Sequence, residues 1–145
     1  LFEDFLLRTL GSGNPDLLLG KTAEASSAQE NGTACFANDA KIFTSWRPKP
    51  EEKEPWWKVD LGCPHNVSGV ELNWEYDQKE YKYKVEGSSD GCTWILLADR
   101  SSNSEKSKSQ RLYFDARSVR HLRVTLLGWP EGEAAALVEC KAYAQ

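Results

Sequence analysis

Val70, Leu72 and Trp74 alternate with Glu71, Asn73 and Glu75, the period-two pattern of a strand with one buried and one wet face. The alternation recurs at Tyr81, Tyr83 and Val85 against Lys82, Lys84 and Glu86, and at Trp57, Val59 and Leu61 against Lys58 and Asp60. Turn formers separate the runs: Gly62-Cys63-Pro64 follows the Trp57 run, and Asp90-Gly91 precedes Trp94-Ile95-Leu96-Leu97. Further strands are expected over Arg111 to Phe114, Val119 to Leu127 and Ala136 to Tyr143. Gly128-Trp129-Pro130-Glu131-Gly132 divides the last two, and Ser101 to Ser109 is a polar loop. Seven or eight short strands, with turns about every 8–12 residues, predict an all-β antiparallel sandwich.

Residues 1–16 stand apart. Leu1-Phe2-Glu3-Asp4-Phe5-Leu6-Leu7 has apolar residues at helical spacing, and Gly11-Ser12-Gly13-Asn14-Pro15 breaks it. We read 1–16 as a linker or the tail of a preceding domain and 17–145 as the sandwich. A chain of 145 residues fits one domain able to bury its own core. A net charge of −4 and a pI near 5.3 argue against a nucleic-acid or anionic-membrane partner, since both reward a basic face. No apolar run approaches the roughly 18 residues of a transmembrane segment, and no basic-then-apolar stretch of the sequence reads as a signal peptide. Methionine is absent, position 1 included, so a processed product or an excised piece of a longer protein is expected.

The four cysteines, Cys35, Cys63, Cys92 and Cys140, form no CxxC pair of the zinc or redox kind. Among three possible pairings Cys35 with Cys140 is favoured, joining the first loop to the last strand, and Cys63 and Cys92 lie in turns that could also meet. The alternative is four unbridged, buried thiols. His65 falls in a turn, and His121 beside Arg120 and Arg123 reads as part of a solvated face. No nucleophile elbow, phosphate-binding glycine loop or His-x-x-x-His pair occurs, and the Glu51-Glu52-Lys53-Glu54 run reads as a solvated loop. Asn31-Gly32-Thr33 and Asn66-Val67-Ser68 match the glycosylation sequon.

Five segments in order carry a resemblance: Leu18 to Ser27, Asn38 to Trp46, Trp56 to Gly62, Tyr83 to Trp94 and Val119 to Thr125. Together they resemble the discoidin family, also called the coagulation-factor C-type domain, and within it most closely the family 32 carbohydrate-binding modules of microbial glycoside hydrolases. The resemblance implies a galactose-binding-domain-like jelly roll of about eight strands. It also implies ligand loops at one end, no catalysis in this domain, and a monomer. It further implies a secreted, periplasmic or cell-surface parent protein with a catalytic domain in the same polypeptide and a carbohydrate ligand.

The resemblance also implies a structural Ca2+ held by the side chains of Asp39, Thr44 and Glu139 and by backbone carbonyls around Phe36, Lys41 and Val138. Calcium takes about 6–8 oxygens and tolerates carboxylate, hydroxyl and carbonyl donors together, so the set is chemically coherent. Ala40 stands where the family usually has glycine, and it can serve there if its φ is negative. The alternative makes Asp39 a turn former and Glu139 a surface charge.

A sugar site needs an exposed aromatic face and polar groups at its edge. Trp129, in a loop flanked by Gly and Pro, is the expected platform. The resemblance leaves Trp46 either core or one wall of the site; Arg47, beside it, can donate to vicinal hydroxyls, and Glu75 and Tyr76 open the loop between two paired strands, on an edge where the resemblance implies polar contacts. Trp74 and Trp94 are expected in the core, and at most one of Trp56 and Trp57 can be buried. Phe43 occupies the position of the histidine that marks many galactose-binding members, which argues against galactose. Two other readings remain: a non-binding sandwich packed on a catalytic neighbour, and a protein- or membrane-docking discoidin domain.

Overall fold

The computed structural model describes residues 15–144, so the helix-like leader lies outside the described residues. The strands are β1 (Thr22–Ala25), β2 (Trp56–Trp74), β3 (Lys82–Ser88), β4 (Ile95–Arg100), β5 (Ser109–Gly128) and β6 (Leu137–Ala144), with a 3-10 helix at Ala34–Ala37. All pairings are antiparallel, in the order β1-β2-β5-β3-β4, with β6 on β2. The expected all-β antiparallel class is the class found.

The strand count is lower than expected for a specific reason. Gly62-Cys63-Pro64 bends the chain without ending the strand: Gly62 takes φ 90°, and the β2–β5 register shifts between Asp60 and His65 and again between Val67 and Gly69. Two expected strands therefore fuse into the 19-residue β2, and two more into the 20-residue β5. The first half of β2 pairs with β1, while the second half, Val67 to Trp74, pairs with β6. The bulges bend β2 between its β1 half and its β6 half, as bulges that kink a strand allow.

The alternation read from the sequence points inward as expected. Trp57, Val59, Leu61, Val70, Leu72, Trp74, Tyr83 and Val85 are all buried in one core. Trp74 stacks on Tyr81 at 4.5 Å between ring centroids and meets Tyr83 at 5.3 Å. The Tyr83 hydroxyl donates to the buried Gln110, which also accepts from Asn103 at 3.2 Å. Trp56 is half-buried beside the buried Trp57.

Trp94 corrects the expectation of a core residue. It is half-exposed on the outer side of the sheet, with the Arg123 guanidinium 4.2 Å from its ring centre and His121 at its edge. Arg123 also donates to Glu86 at 2.8 Å, so the ring is covered by a paired cation rather than by core. His121 is accordingly half-covered instead of standing on an open face. The favoured Cys35–Cys140 bridge is also corrected: all four thiols are free, with Cys140 buried and the others exposed.

The long segment between β1 and β2 is pinned at several points. Trp46 exchanges both backbone hydrogen bonds with Leu137, at 2.8 and 3.0 Å, and its indole N–H donates to the Ser27 carbonyl at 2.9 Å. Arg47 donates its backbone N–H to Gly32, and Gln29 donates to the Arg47 carbonyl. Here glycine is required sterically, because a Cβ at position 32 would lie 2.5 Å from the Arg47 Cβ. We expect Gly32→Ala to destabilise the fold by about 1–3 kcal/mol through overpacking and to displace Arg47. Chemical denaturation checks the first effect, and an unchanged midpoint would contradict the close approach.

Candidate functional site

Asp39 and Glu139 meet at the end of the sandwich where the residue 38–46 loop crosses β6. The Asp39 carboxylate accepts from the Lys41 backbone N–H at 3.0 Å and from the Thr44 hydroxyl at 2.6 Å, a side-chain-closed turn. Glu139 is 5% exposed and accepts from the Ala40 N–H with both oxygens, at 3.2 and 3.0 Å. Burial pushes its carboxyl up to about 7; the Ala40 N–H opposes this, and the charge of Asp39 adds to it. Ala40 itself has φ 62°, the left-handed region, so the expectation of a negative φ is overturned. Alanine is strained there by about 1–2 kcal/mol, and the conformation aims its N–H at Glu139.

The structure therefore brings together Asp39, Thr44 and Glu139. Phe36 sits in the adjoining 3-10 helix, Lys41 in the Asp39 turn, and Val138 next to Glu139 on β6. Two acids meet here, not three, and no group of three or more His, Cys, Asp or Glu residues suited to a metal occurs among the described residues. The donor set fits a hard cation because a buried carboxylate beside a second acid lacks a full counter-charge, and hydroxyl and carbonyl oxygens are what calcium accepts.

Beside this loop lies a pocket of about 360 Å³. Ile42, Phe43 and Thr44 form one wall, Trp74 and Val138 line it, and Arg47, Asn73, Glu75 and Lys108 supply polar groups. Arg47 and Glu75 are ion-paired across it, each about one-third exposed. Phe43 is 93% exposed and Ile42 76%, an unusual state for adjacent large apolar residues. The buried indole N–H of Trp74 has no partner among the described residues.

Of the residues expected at a sugar site, Arg47 and Glu75 both line the pocket, and their ion pair was not foreseen. Tyr76 adjoins the pocket without lining it; the Glu75 charge pushes its phenol up. Trp46 belongs to the core, with 0% exposure, and offers no stacking face. Trp129 is half-buried against the core and does not line the pocket, so the exposed ring at the site is Phe43. Sequence reasoning missed Ile42, Phe43, Asn73 and Lys108 as pocket residues. The available signal was an Ile-Phe pair inside a polar turn, where no strand alternation could bury both.

Glu139 sets a pH dependence. Its folded value of about 7 lies above the ordinary 4.5, so the protonated form favours folding. In chelator, the stability it contributes should be fully present below pH 4.5 and be lost as the pH rises through about 7. Glu139→Gln should flatten this limb of a Tm-against-pH curve. A limb equally steep in the variant would assign it to another group.

Comparison with known proteins agrees with this architecture. The model of the F5/8 type C domain matches residues 22–140. Chitosan-binding module 1 of a chitosanase/glucanase from Paenibacillus sp. IK-5 superposes with a TM-score of 0.79 at 26% identity, covering 90% of this chain and 99% of the module. A family 32 module from Clostridium perfringens, in complex with GlcNAc-α-1,4-galactose, superposes with a TM-score of 0.80 at 20% identity, covering 92% of this chain and 96% of the module. Human BTB/POZ domain-containing protein 9 is 34% identical over 68 residues, which span 46% of this chain and 11% of that protein. With the family model spanning most of its length, the chain belongs to the F5/8 type C domain family, whose members of this kind are non-catalytic binding modules.

Proposed function

We propose that this domain binds carbohydrate in the pocket between the residue 42–47 loop and the ends of β2 and β6. The observation that carries this reading is the exposed Phe43 ring beside Arg47, Asn73, Glu75 and Lys108. A pyranose presents an apolar C–H face and an equatorial rim of hydroxyls. Phe43 can take the face, while the guanidinium and ammonium donate to the rim and the Glu75 carboxylate accepts from it. Glu75 would also accept from a sugar amine, and the similar Paenibacillus protein is a chitosan-binding module. The setting that goes with this reading is an accessory module of a secreted, periplasmic or cell-surface glycoside hydrolase.

A structural calcium belongs to the same proposal. Asp39, Thr44 and Glu139, with the carbonyls of Phe36, Lys41 and Val138, would hold it, and its charge would neutralise the two acids. Those residues also shape the loop that presents Phe43, so occupancy and ligand affinity would be coupled. A second reading, a docking surface for another protein, draws on the exposed Ile42-Phe43 pair.

A glycan array probed with calcium and with chelator tests the proposal. Binding to a carbohydrate class that weakens in chelator is the expected result, and an array with no retained glycan would reject it. Phe43→Ala should weaken binding about tenfold or more while leaving the melt nearly unchanged, since the ring buries almost nothing in the fold. Calcium at about 100 times its Kd should stabilise the protein by roughly 2.7 kcal/mol, and a melt indifferent to chelator would remove the ion from the proposal.

A further inference from the structure

Tyr113 is 78% exposed although it lies mid-strand on β5, and it is separated in sequence from every pocket residue except Lys108. Its partner in the β2 register is Gly69, and the partner of Gly69 on the other side is Tyr143 of β6. A Cβ at position 69 would lie 3.5 Å from the Tyr113 ring, so the ring rests over the bare glycine with its other side open to solvent. Tyr143 is half-buried on the same face. Two phenols therefore border a strip of backbone with no side chain between them.

The neighbouring rows connect this patch to the pocket. Moving along β2, the next row is Arg111–Glu71–Lys141, in which Arg111 Nε lies 3.2 Å from Glu71, and the one after is Ser109–Asn73–Glu139. Asn73 donates to Glu71 at 3.3 Å and also lines the pocket. Asn73 lies four positions along β2 from Gly69, about 13 Å of strand. A monosaccharide held by Phe43 could not touch Tyr113. An oligosaccharide leaving the pocket along this face would cross donors and acceptors and then reach an open aromatic ring.

Building on the carbohydrate reading above, we propose that the outer face of β6-β2-β5 is a second subsite for the continuing glycan chain, with Tyr113 as its stacking platform and Arg111 and Lys141 as donors to hydroxyls on the way. The loop pocket holds one end of the ligand and the sheet face holds the chain behind it. The ligand class is consequently a linear oligosaccharide or polysaccharide rather than a lone terminal sugar.

Amide chemical-shift titration of the whole chain with β-1,4-linked glucosamine oligomers, from monosaccharide to hexasaccharide, tests this. Affinity should rise with length, with shifts spreading from the Phe43 loop to Gly69, Tyr113 and Tyr143. Tyr113→Ala should abolish the gain with length, a loss of about tenfold or more for the longest oligomer, while monosaccharide affinity and the melt stay as they were. Tyr113→Phe should keep the gain. A length-independent affinity, or a gain that survives in Tyr113→Ala, would overturn the subsite and leave the pocket reading standing. Loss of all binding in Phe43→Ala with the length gain intact in Tyr113→Ala would likewise confine the ligand to the pocket. Absence of shifts with every oligomer, together with an empty array, would remove the carbohydrate reading and the subsite with it.

Discussion

The pocket end of this domain depends on the attachment of one irregular loop to the last strand. The paired backbone bonds between Trp46 and Leu137 and the grip of Glu139 on the Ala40 N–H tie residues 38–46 to β6 across about a hundred positions of chain. A loop closed over that distance loses much entropy, and only fixed partners on both sides can offset it. Trp46 provides the apolar anchor, buried with its indole N–H satisfied by Ser27. With its base held, the loop can leave Ile42 and Phe43 in water at its tip.

Charge and backbone strain are concentrated at the same place. Ala40 stands in a left-handed conformation and Glu139 is buried near Asp39, two costs that meet at one hydrogen-bonded contact. Strained backbone and uncompensated burial persist where the surroundings over-determine them, and they gather at binding sites. Each is tied to the other here, because the conformation of Ala40 is what presents the N–H that Glu139 accepts. Relief of one without the other would leave either a misdirected amide or a carboxylate with no donor.

How much of this could be read from sequence depended on whether burial follows a period. The strands β2, β3, β5 and β6 were legible because alternation is imposed residue by residue. Their continuity was not: Gly62-Cys63-Pro64 has the composition of a turn, and only the register with β5 distinguishes a bend inside a strand from its end. Trp94 was misplaced since alternation cannot separate a ring facing the core from one covered by Arg123. Asp39, Thr44 and Glu139 were named only through the family resemblance, and they lie together at one turn, whereas Phe43 was treated as a missing histidine instead of as a residue with its own exposed face. The thiols carried no local signal, as a pairing requires a distance that sequence does not contain.

Cys140 follows Glu139 on β6 and is fully enclosed, while Cys35, Cys63 and Cys92 lie at the surface. Burial also pushes its thiol well above the usual range, so the nucleophilic thiolate is suppressed as long as the strand stays in place. Three thiols are therefore open to alkylation in the native protein, and the fourth only when β6 lifts from β2. The slow component of labelling thus serves as a built-in clock for the opening of the strand that carries Glu139, reporting local fluctuation at the pocket end without an added probe.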